Sequence, residues 1–256
     1  MKPGILVDNF FRGMDRREAF EKVAEMGFAG VQFYVTSDLA PWELSTTARK
    51  DLRRLLDKLG LELPAICVDF GKGFASEQWV DWSVERVRQC IPLARDLGTS
   101  VLTTHIGKVP EDASSSTYSM MQQALKDLGD EAASADCVIG IETGPDEPAH
   151  LAEFIRQVGS DGLAVNYDPS NLTRKGFDAV KGVYDLGEFI RHTHAKDGIA
   201  GDGEARLGEG DVKWKEYIAA LKDVGYDGFL TVEREHKEWS PEEEAVHALN
   251  FLKSLL

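Results

Sequence analysis

The chain has 256 residues and a formal net charge of -15, with 43% hydrophobic and 29% charged residues. This length suits one domain with a large buried core, which needs no disulfide bonds for stability. The acidic excess opposes binding to nucleic-acid phosphates, and no basic run along the chain offsets it.

The cysteines and the amino terminus predict a protein of a reducing compartment. Cys67, Cys90 and Cys137 are odd in number and widely spaced, which favours buried apolar roles over disulfides or a cysteine metal site. The amino terminus enters a strand-like run without the apolar stretch of a signal peptide, and no segment has the length of a membrane span. We therefore expect a cytoplasmic protein.

Short aliphatic and β-branched runs alternate with amphipathic stretches along the whole chain. In chain order, the pattern predicts strand 5–7, helix 16–26, strand 30–35, helix 46–59, strand 63–67, helix 77–97, strand 101–105, helix 118–135, strand 138–142, helix 148–158, strand 163–168, helix 177–186, strand 190–195, helix 213–224, strand 229–233 and helix 241–255. Each predicted strand is therefore followed by one predicted helix.

Glycines mark several of the predicted helix ends. Gly27, Gly60, Gly98 and Gly225 each follow a helix, where a left-handed cap is expected. Eight strand–helix units without a flexible linker predict an α/β fold, a single-domain (β/α)8 TIM barrel over residues 1–256. The alternative is an open doubly wound sheet, which is disfavoured because no glycine-rich dinucleotide loop follows the first strand.

Polar side chains end five successive predicted strands. They are His105, Glu142, Asp168, His194 and Glu233. Catalytic groups of such barrels lie at the carboxyl ends of the strands, so these side chains are expected to meet in the barrel mouth. Three carboxylates there would repel one another and be costly to bury, and a divalent cation bound also by His194 removes both costs. The donor set favours Mn²⁺, with Mg²⁺, Co²⁺ or Zn²⁺ as alternatives.

Five segments carry motifs of a known superfamily. They are IGIETG (139–144), NYDPSNL (166–172), HTHAKDG (192–198), RLGEGDVKW (206–214) and GYDGFLTVERE (225–235). With them the chain resembles the sugar phosphate isomerase/epimerase superfamily, the xylose isomerase-like barrels. The resemblance is strongest over the carboxyl-terminal half and does not distinguish the members. It implies metal ligands at Glu142, Asp168, His194 and Glu233.

The resemblance also implies substrate-binding residues. Asn171 lies three residues after the metal aspartate, where several epimerases and the endonuclease IV branch have histidine, so a trinuclear zinc cluster is not expected. Arg206 matches a substrate-contacting arginine, with pairing to an acidic residue of its own loop as the alternative. His105 and Lys196 match polar pocket positions, and Lys196 has the alternative role of holding a carboxylate ligand. His192 is predicted to be a hydrogen-bonded core histidine.

The function implied by the resemblance is that of a metal-dependent isomerase acting on a sugar or sugar phosphate. Glu142 and Glu233 would remove and return a proton beside a carbonyl, through a metal-bound enediolate. Return to the opposite face makes a ketose 3-epimerase, and return to the next carbon makes an aldose–ketose isomerase. An inosose dehydratase-type lyase, a non-catalytic sugar-binding barrel and an endonuclease IV-like phosphodiesterase are the alternatives. We expect a small-molecule substrate, no nucleic-acid or membrane partner, and a homo-oligomer as in many superfamily members.

Overall fold

The computed structural model describes residues 1–235 and 239–256. Within these residues, eight parallel strands form one sheet: β1 (Lys2–Leu6), β2 (Gly30–Gln32), β3 (Ile66–Cys67), β4 (Val101–Thr104), β5 (Val138–Glu142), β6 (Leu163–Tyr167), β7 (Ile190–Ala195) and β10 (Phe229–Val232). Their spatial order is β2-β1-β10-β7-β6-β5-β4-β3. Isolated parallel bridges, Gly30 to Glu62 and Tyr34 to Cys67, join the two end strands. The predicted barrel is therefore confirmed.

The helices surround this sheet. They are α1 (Val7–Phe10), α2 (Arg16–Met26), α3 (Thr46–Leu59), α4 (Val80–Leu97), α5 (Ser116–Ser134), α6 (Pro148–Val158), α7 (Pro169–Arg174), α8 (Ala179–Leu186), α9 (Trp214–Asp223) and α10 (Pro241–Leu255). Short helices α1 and α7 and a hairpin, β8 (Asp197–Gly198) with β9 (Glu204–Ala205), were not predicted, since elements this short show no periodicity. All three lie beyond the carboxyl ends of barrel strands, where they shape the mouth.

Local capping explains why the helices begin and end where they do. The Asp15 side chain accepts hydrogen bonds from the first-turn amides of α2, and Gly27 ends that helix with φ +92°. At α10, Ser240 and Glu243 form a capping box. These signals fix the two helices at the bounds that the sequence pattern predicts.

The core lies between the barrel and the apolar faces of the helices. Phe20 and Val23 of α2 and Tyr217 of α9 are among its fully buried members. Two cysteines, Cys90 and Cys137, also lie there, and like Cys67 they are buried and free, as predicted. Within the part of the chain that the structure describes, no helix is both long and apolar enough to cross a membrane.

One buried carboxylate organises the loop between β7 and α9. Asp197, 1% exposed, accepts hydrogen bonds from the amides of Gly198, Gly208 and Val212 and from the indole of Trp214. Gly208 has φ +87°, and a Cβ on Gly210 would lie 2.2 Å from the Asp197 carboxylate. The segment 206–214 therefore wraps around a single side chain, and its glycines serve loop geometry.

The alanine variant of this anchor tests its contribution to stability. Asp197→Ala leaves four donors without their acceptor, three of them buried, and we expect it to lower the free energy of unfolding by about 3 kcal/mol. Urea denaturation followed by circular dichroism measures the change, with Asp161→Ala at an exposed position as the control. Equal stability of the two variants would contradict the anchoring role.

Candidate metal centre

Four side chains converge in the barrel mouth. Glu142 ends β5, Asp168 follows β6, His194 lies in β7 and Glu233 follows β10. One ligand atom from each lies within 4.8 Å of those of the other three, and all four residues are buried. These are the residues that the strand ends predicted, and the barrel brings them together because its parallel strands end at the same face.

The orientation of His194 directs one ring nitrogen, Nδ1, toward the centre of the cluster. Its Nε2 lies 3.0 Å from Oε1 of Gln32, whose own amide nitrogen donates to Thr103 at 2.8 Å. Because Thr103 fixes the orientation of the Gln32 amide, the Gln32 oxygen accepts the Nε2 proton. Nδ1 then faces the carboxylates and lies 2.9 Å from Oε2 of Glu233. Burial would lower the pKa of His194, but the charges of Glu233 and Glu142 raise it, so without a cation Nδ1 carries a proton that a bound metal ion would replace.

The donor set fits a single divalent cation. Two buried atoms, Oδ2 of Asp168 and Nδ1 of His194, face each other at 3.7 Å, which is too far for a hydrogen bond. Oδ2 of Asp168 has no hydrogen-bond partner among the described residues, which is costly for a buried acceptor, and a cation between the two atoms would remove that cost. Three carboxylates and one imidazole are the donors that Mn²⁺ and similar divalent ions prefer. The cluster could therefore bind one metal ion.

The carboxylates experience unequal fields. Burial raises the pKa of Asp168, and the negative charges of Glu142 and Glu233 raise it further. Burial alone would also raise the pKa of Glu233, but Lys196 and His194 lower it below its usual range. Glu233 is therefore ionised at neutral pH, whereas the ionised form of Asp168 is disfavoured relative to an exposed aspartate.

Lys196 connects two of the ligands to a neighbouring acid. Its Nζ lies 3.3 Å from Glu233, 3.9 Å from Asp168 and 3.2 Å from Glu204. Burial opposes its charge, but the surrounding carboxylates raise the pKa of Lys196 above its ordinary value. This placement supports the role of holding carboxylate ligands. Contact between Lys196 and a substrate stays a prediction.

His105 places a proton-bearing ring beside the cluster. Its Nδ1 lies 2.7 Å from Oδ2 of Asp69, and its Nε2 lies 3.4 Å from Oε1 of Glu142. The negative charge of Glu142 raises the pKa of His105 to about 9. Burial alone would lower this pKa, and Asp69 raises it further. In turn, His105 and His194 overcome the effect of burial and lower the pKa of Glu142. The half-exposed His105 ring lines a cavity at the mouth, and its contact with a substrate stays a prediction.

Asn171 braces two ligands from the first turn of α7. Its backbone amide donates to Oδ1 of Asp168 at 3.0 Å, and its side-chain amide donates to Oε1 of Glu142 at 3.1 Å. A further bond at 3.2 Å goes to the carbonyl of Thr143. Asn171 also lines a cavity of about 410 Å³ together with His105. Its predicted contact with a substrate is untested, but its side chain lies where such a contact is available.

Arg206 lies in a different setting from the other predicted residues. Its Nε is 2.9 Å from Oε1 of Glu244 in α10, and its guanidinium lies 4.6 Å from the ring centroid of Trp239. Glu244 also lies 3.4 Å from Nε of Arg234. The acid paired with Arg206 therefore comes from a distant helix and not from its own loop. A role of Arg206 toward substrate stays a prediction.

Sequence reasoning missed the polar residues that lie beneath the ligands. Asn166 donates to Oε2 of Glu142 at 3.1 Å and accepts from Nδ1 of His192 at 2.8 Å. Thr231 lies 2.9 Å from the other His192 nitrogen, so His192 is the hydrogen-bonded core histidine that was predicted. Burial lowers the pKa of His192 and keeps it neutral. The signal available in the sequence was a polar residue, Asn166 or Gln32, within an otherwise apolar strand. Both side chains are fully buried in the structure.

Comparisons with known proteins agree with this architecture. An uncharacterized protein of Methanocaldococcus jannaschii is 27% identical over 242 residues, covering 85% of this chain and 78% of the relative. The crystal structure of a xylose isomerase domain protein from Planctomyces limnophilus matches with TM-score 0.87 and 25% identity over 99% of this chain and 96% of that one. A D-tagatose 3-epimerase-like protein matches with TM-score 0.82 and 24% identity over 100% of this chain and 97% of that one.

The family model described as "Xylose isomerase-like TIM barrel" matches residues 20–255. This match spans nearly all of the strand–helix units and includes all four residues of the candidate metal cluster. The chain therefore belongs to the xylose isomerase-like TIM barrel family.

Proposed function

We propose that this protein is a metal-dependent isomerase or epimerase that moves a proton beside the carbonyl of a small sugar or sugar phosphate. The observation that carries the proposal is the approach of Glu142 and Glu233 to one buried cluster from different strands. Strands β6 and β7 lie between β5 and β10, so the two glutamates reach the centre from different directions. Solved structures of the same fold include proteins named D-psicose 3-epimerase and L-ribulose 3-epimerase.

The cation would be held by Glu142, Asp168, His194 and Glu233. When bound, a divalent metal ion such as Mn²⁺ supplies a Lewis acid that polarises carbonyl and hydroxyl oxygens. Mg²⁺, Co²⁺ and Zn²⁺ are the alternative ions for the same donors.

The two glutamates supply the proton transfer. Positive neighbours lower the pKa of each, His105 for Glu142 and Lys196 for Glu233, so both carboxylates are ionised and able to accept a proton. One glutamate removes the proton next to the carbonyl, and the other returns it to the opposite face or to the neighbouring carbon. The first outcome is epimerisation, and the second is aldose–ketose isomerisation.

Removal of either base tests this assignment. Glu142→Gln and Glu233→Gln keep an oxygen at the site but cannot take a proton, so we expect each to lose at least about 100-fold of its turnover. Proton NMR in D2O, with ketoses, ketose phosphates and an inosose as substrates, follows solvent exchange and product formation. Glu216→Gln, on the exposed face of α9, is the control.

The same spectra separate the outcomes. Near wild-type exchange by either variant with metal bound would contradict the two-base assignment. Loss of water from the inosose, without exchange into ketoses, would replace the isomerase with a lyase.

Metal removal tests the cluster independently of turnover. A chelator should leave the carboxylates without their counter-ion, and re-addition of Mn²⁺ at about 100 times its Kd should raise Tm by roughly 5–10 °C. Asp168→Asn should abolish this shift, whereas Asp161→Asn, at an exposed site, should retain it. Differential scanning calorimetry measures both, and a Tm of the wild-type protein that is insensitive to metal would overturn the assignment.

The hydrogen bond from His194 to Gln32 gives a further test. Gln32→Leu removes the acceptor that directs Nδ1 toward the cluster, and we expect metal affinity to fall about 10–100-fold. Competition with a metal-binding dye measures the affinity, with Gln123→Leu on the exposed side of α5 as the control. Unchanged affinity in Gln32→Leu would show that Gln32 does not orient the ligand.

A further inference from the structure

A second group of polar side chains lies beside the metal cluster, at the ends of β1 and β2. It lines a cavity of about 330 Å³ formed by Asp8, Asn9, Arg12, Tyr34, Arg234 and Glu235. A neighbouring cavity of about 650 Å³ shares Asp8, Arg12 and Tyr34 with it. The two spaces therefore meet at Arg12 and Tyr34.

Tyr34 connects this region to the reacting centre. Tyr34 lines the larger cavity together with Asp69, whose carboxylate lies 2.7 Å from His105, and His105 lies 3.4 Å from Glu142. Glu235, at the edge of the smaller cavity, lies 3.8 Å from Nζ of Lys196, which itself contacts Glu233. Both cavities therefore adjoin side chains that lie against the metal cluster.

The charged side chains of the smaller cavity are paired, with one exception. Asp8 lies 2.6 Å from Arg16, and Arg234 lies 3.4 Å from Glu244. Glu235 faces Lys196. Within residues 1–235 and 239–256, Arg12 has no ion-pair or hydrogen-bond partner, although it lines both cavities. Its guanidinium is therefore available to an anion.

Two neutral donors accompany Arg12. Asn9 is 8% exposed, yet its side-chain amide has no hydrogen-bond partner among the described residues. The Tyr34 hydroxyl is likewise unpartnered within that part of the chain. Neither side chain is among the fully buried polar atoms that lack a partner, so both donors are accessible from the cavity. A guanidinium, an amide and a hydroxyl therefore line one cavity with their hydrogen-bonding capacity unused.

We propose that Arg12, with Asn9 and Tyr34, binds an anionic group, a phosphate or a carboxylate, at the end of the substrate remote from the metal. The planar fork of an arginine matches either oxyanion, and the amide and the hydroxyl can each donate one further hydrogen bond. This inference rests on the proposed function and narrows its substrate class to sugar phosphates or sugar acids.

The competing location lies on the other side of the cluster. There, Arg174 and Lys175 line the cavity that contains His105 and Asn171. Lys175 is exposed, as Arg12 is, and Nε of Arg174 already donates to the carbonyl of Asp202 at 3.4 Å. Among the described residues, the Arg12 side differs in placing a neutral amide and a hydroxyl without partners beside the guanidinium, and Lys175→Ala provides a matched control.

Binding to the metal-loaded protein tests the proposal without requiring turnover. Isothermal titration calorimetry compares fructose 6-phosphate, a keto-gluconate and fructose, which represent the phosphate, carboxylate and neutral arms. We expect one anionic probe to bind the wild-type protein at least about 10-fold more tightly than fructose, and Arg12→Ala to remove that preference. Arg12→Lys should retain part of it, because it keeps the charge and loses the fork. Lys175→Ala should behave as wild type.

The outcomes separate this inference from the proposed function. Three results would overturn the role of Arg12. The anion preference could survive in Arg12→Ala, it could be lost in Lys175→Ala, or the wild-type protein could lack it. Proton exchange into an anionic probe that is no faster than into a neutral ketose, and that is unaffected by Arg12→Ala, would overturn that role while leaving the isomerase intact. Anion binding that depends on Arg12, without exchange into any probe, would support the subsite and contradict the isomerase.

Discussion

Mutual repulsion among three buried carboxylates is the constraint on which the candidate site depends. Their ligand atoms lie within 4.8 Å of one another and of His194, where the dielectric screening of bulk water is reduced. Lys196 and His105 offset part of the negative charge, and Asn166 and Asn171 donate hydrogen bonds to Glu142. These contacts leave Oδ2 of Asp168 without a hydrogen-bond partner among the described residues, so the remaining imbalance is at the centre, where a cation would lie.

The loop anchor and the cluster are parts of one arrangement. Asp197 is held by four donors from the loop between β7 and α9, and it directly follows Lys196 in the chain. Fixing the backbone at Asp197 therefore fixes where the Lys196 ammonium meets Glu233 and Asp168. The loop thus contributes to the electrostatics of the site, because a displaced lysine would leave two buried carboxylates less well compensated.

The barrel and its ligand set were predictable because their signals are local. Capped amphipathic segments give α2, α3, α6 and α10 at the bounds predicted, and alternation along a strand predicts which end residue faces inward. The supporting contacts are long-range and leave no such signal. Gln32 and His194 are 162 residues apart, and Arg206 pairs with Glu244 from a helix that no local pattern connects to its loop. Short α1 and α7 lack a full periodic pattern.

The acidity of the whole chain bears on how an anion could be recognised at Arg12. A net charge of -15 disfavours the approach of phosphates or carboxylates. At physiological ionic strength, however, exposed charges are screened over about 8 Å, so recognition depends on the groups that line the cavity itself. Asp8 is engaged with Arg16, and Arg234 with Glu244, which leaves the Arg12 guanidinium as the uncompensated charge within the described part of that cavity. Anion selectivity can therefore arise locally on a protein whose overall field opposes it.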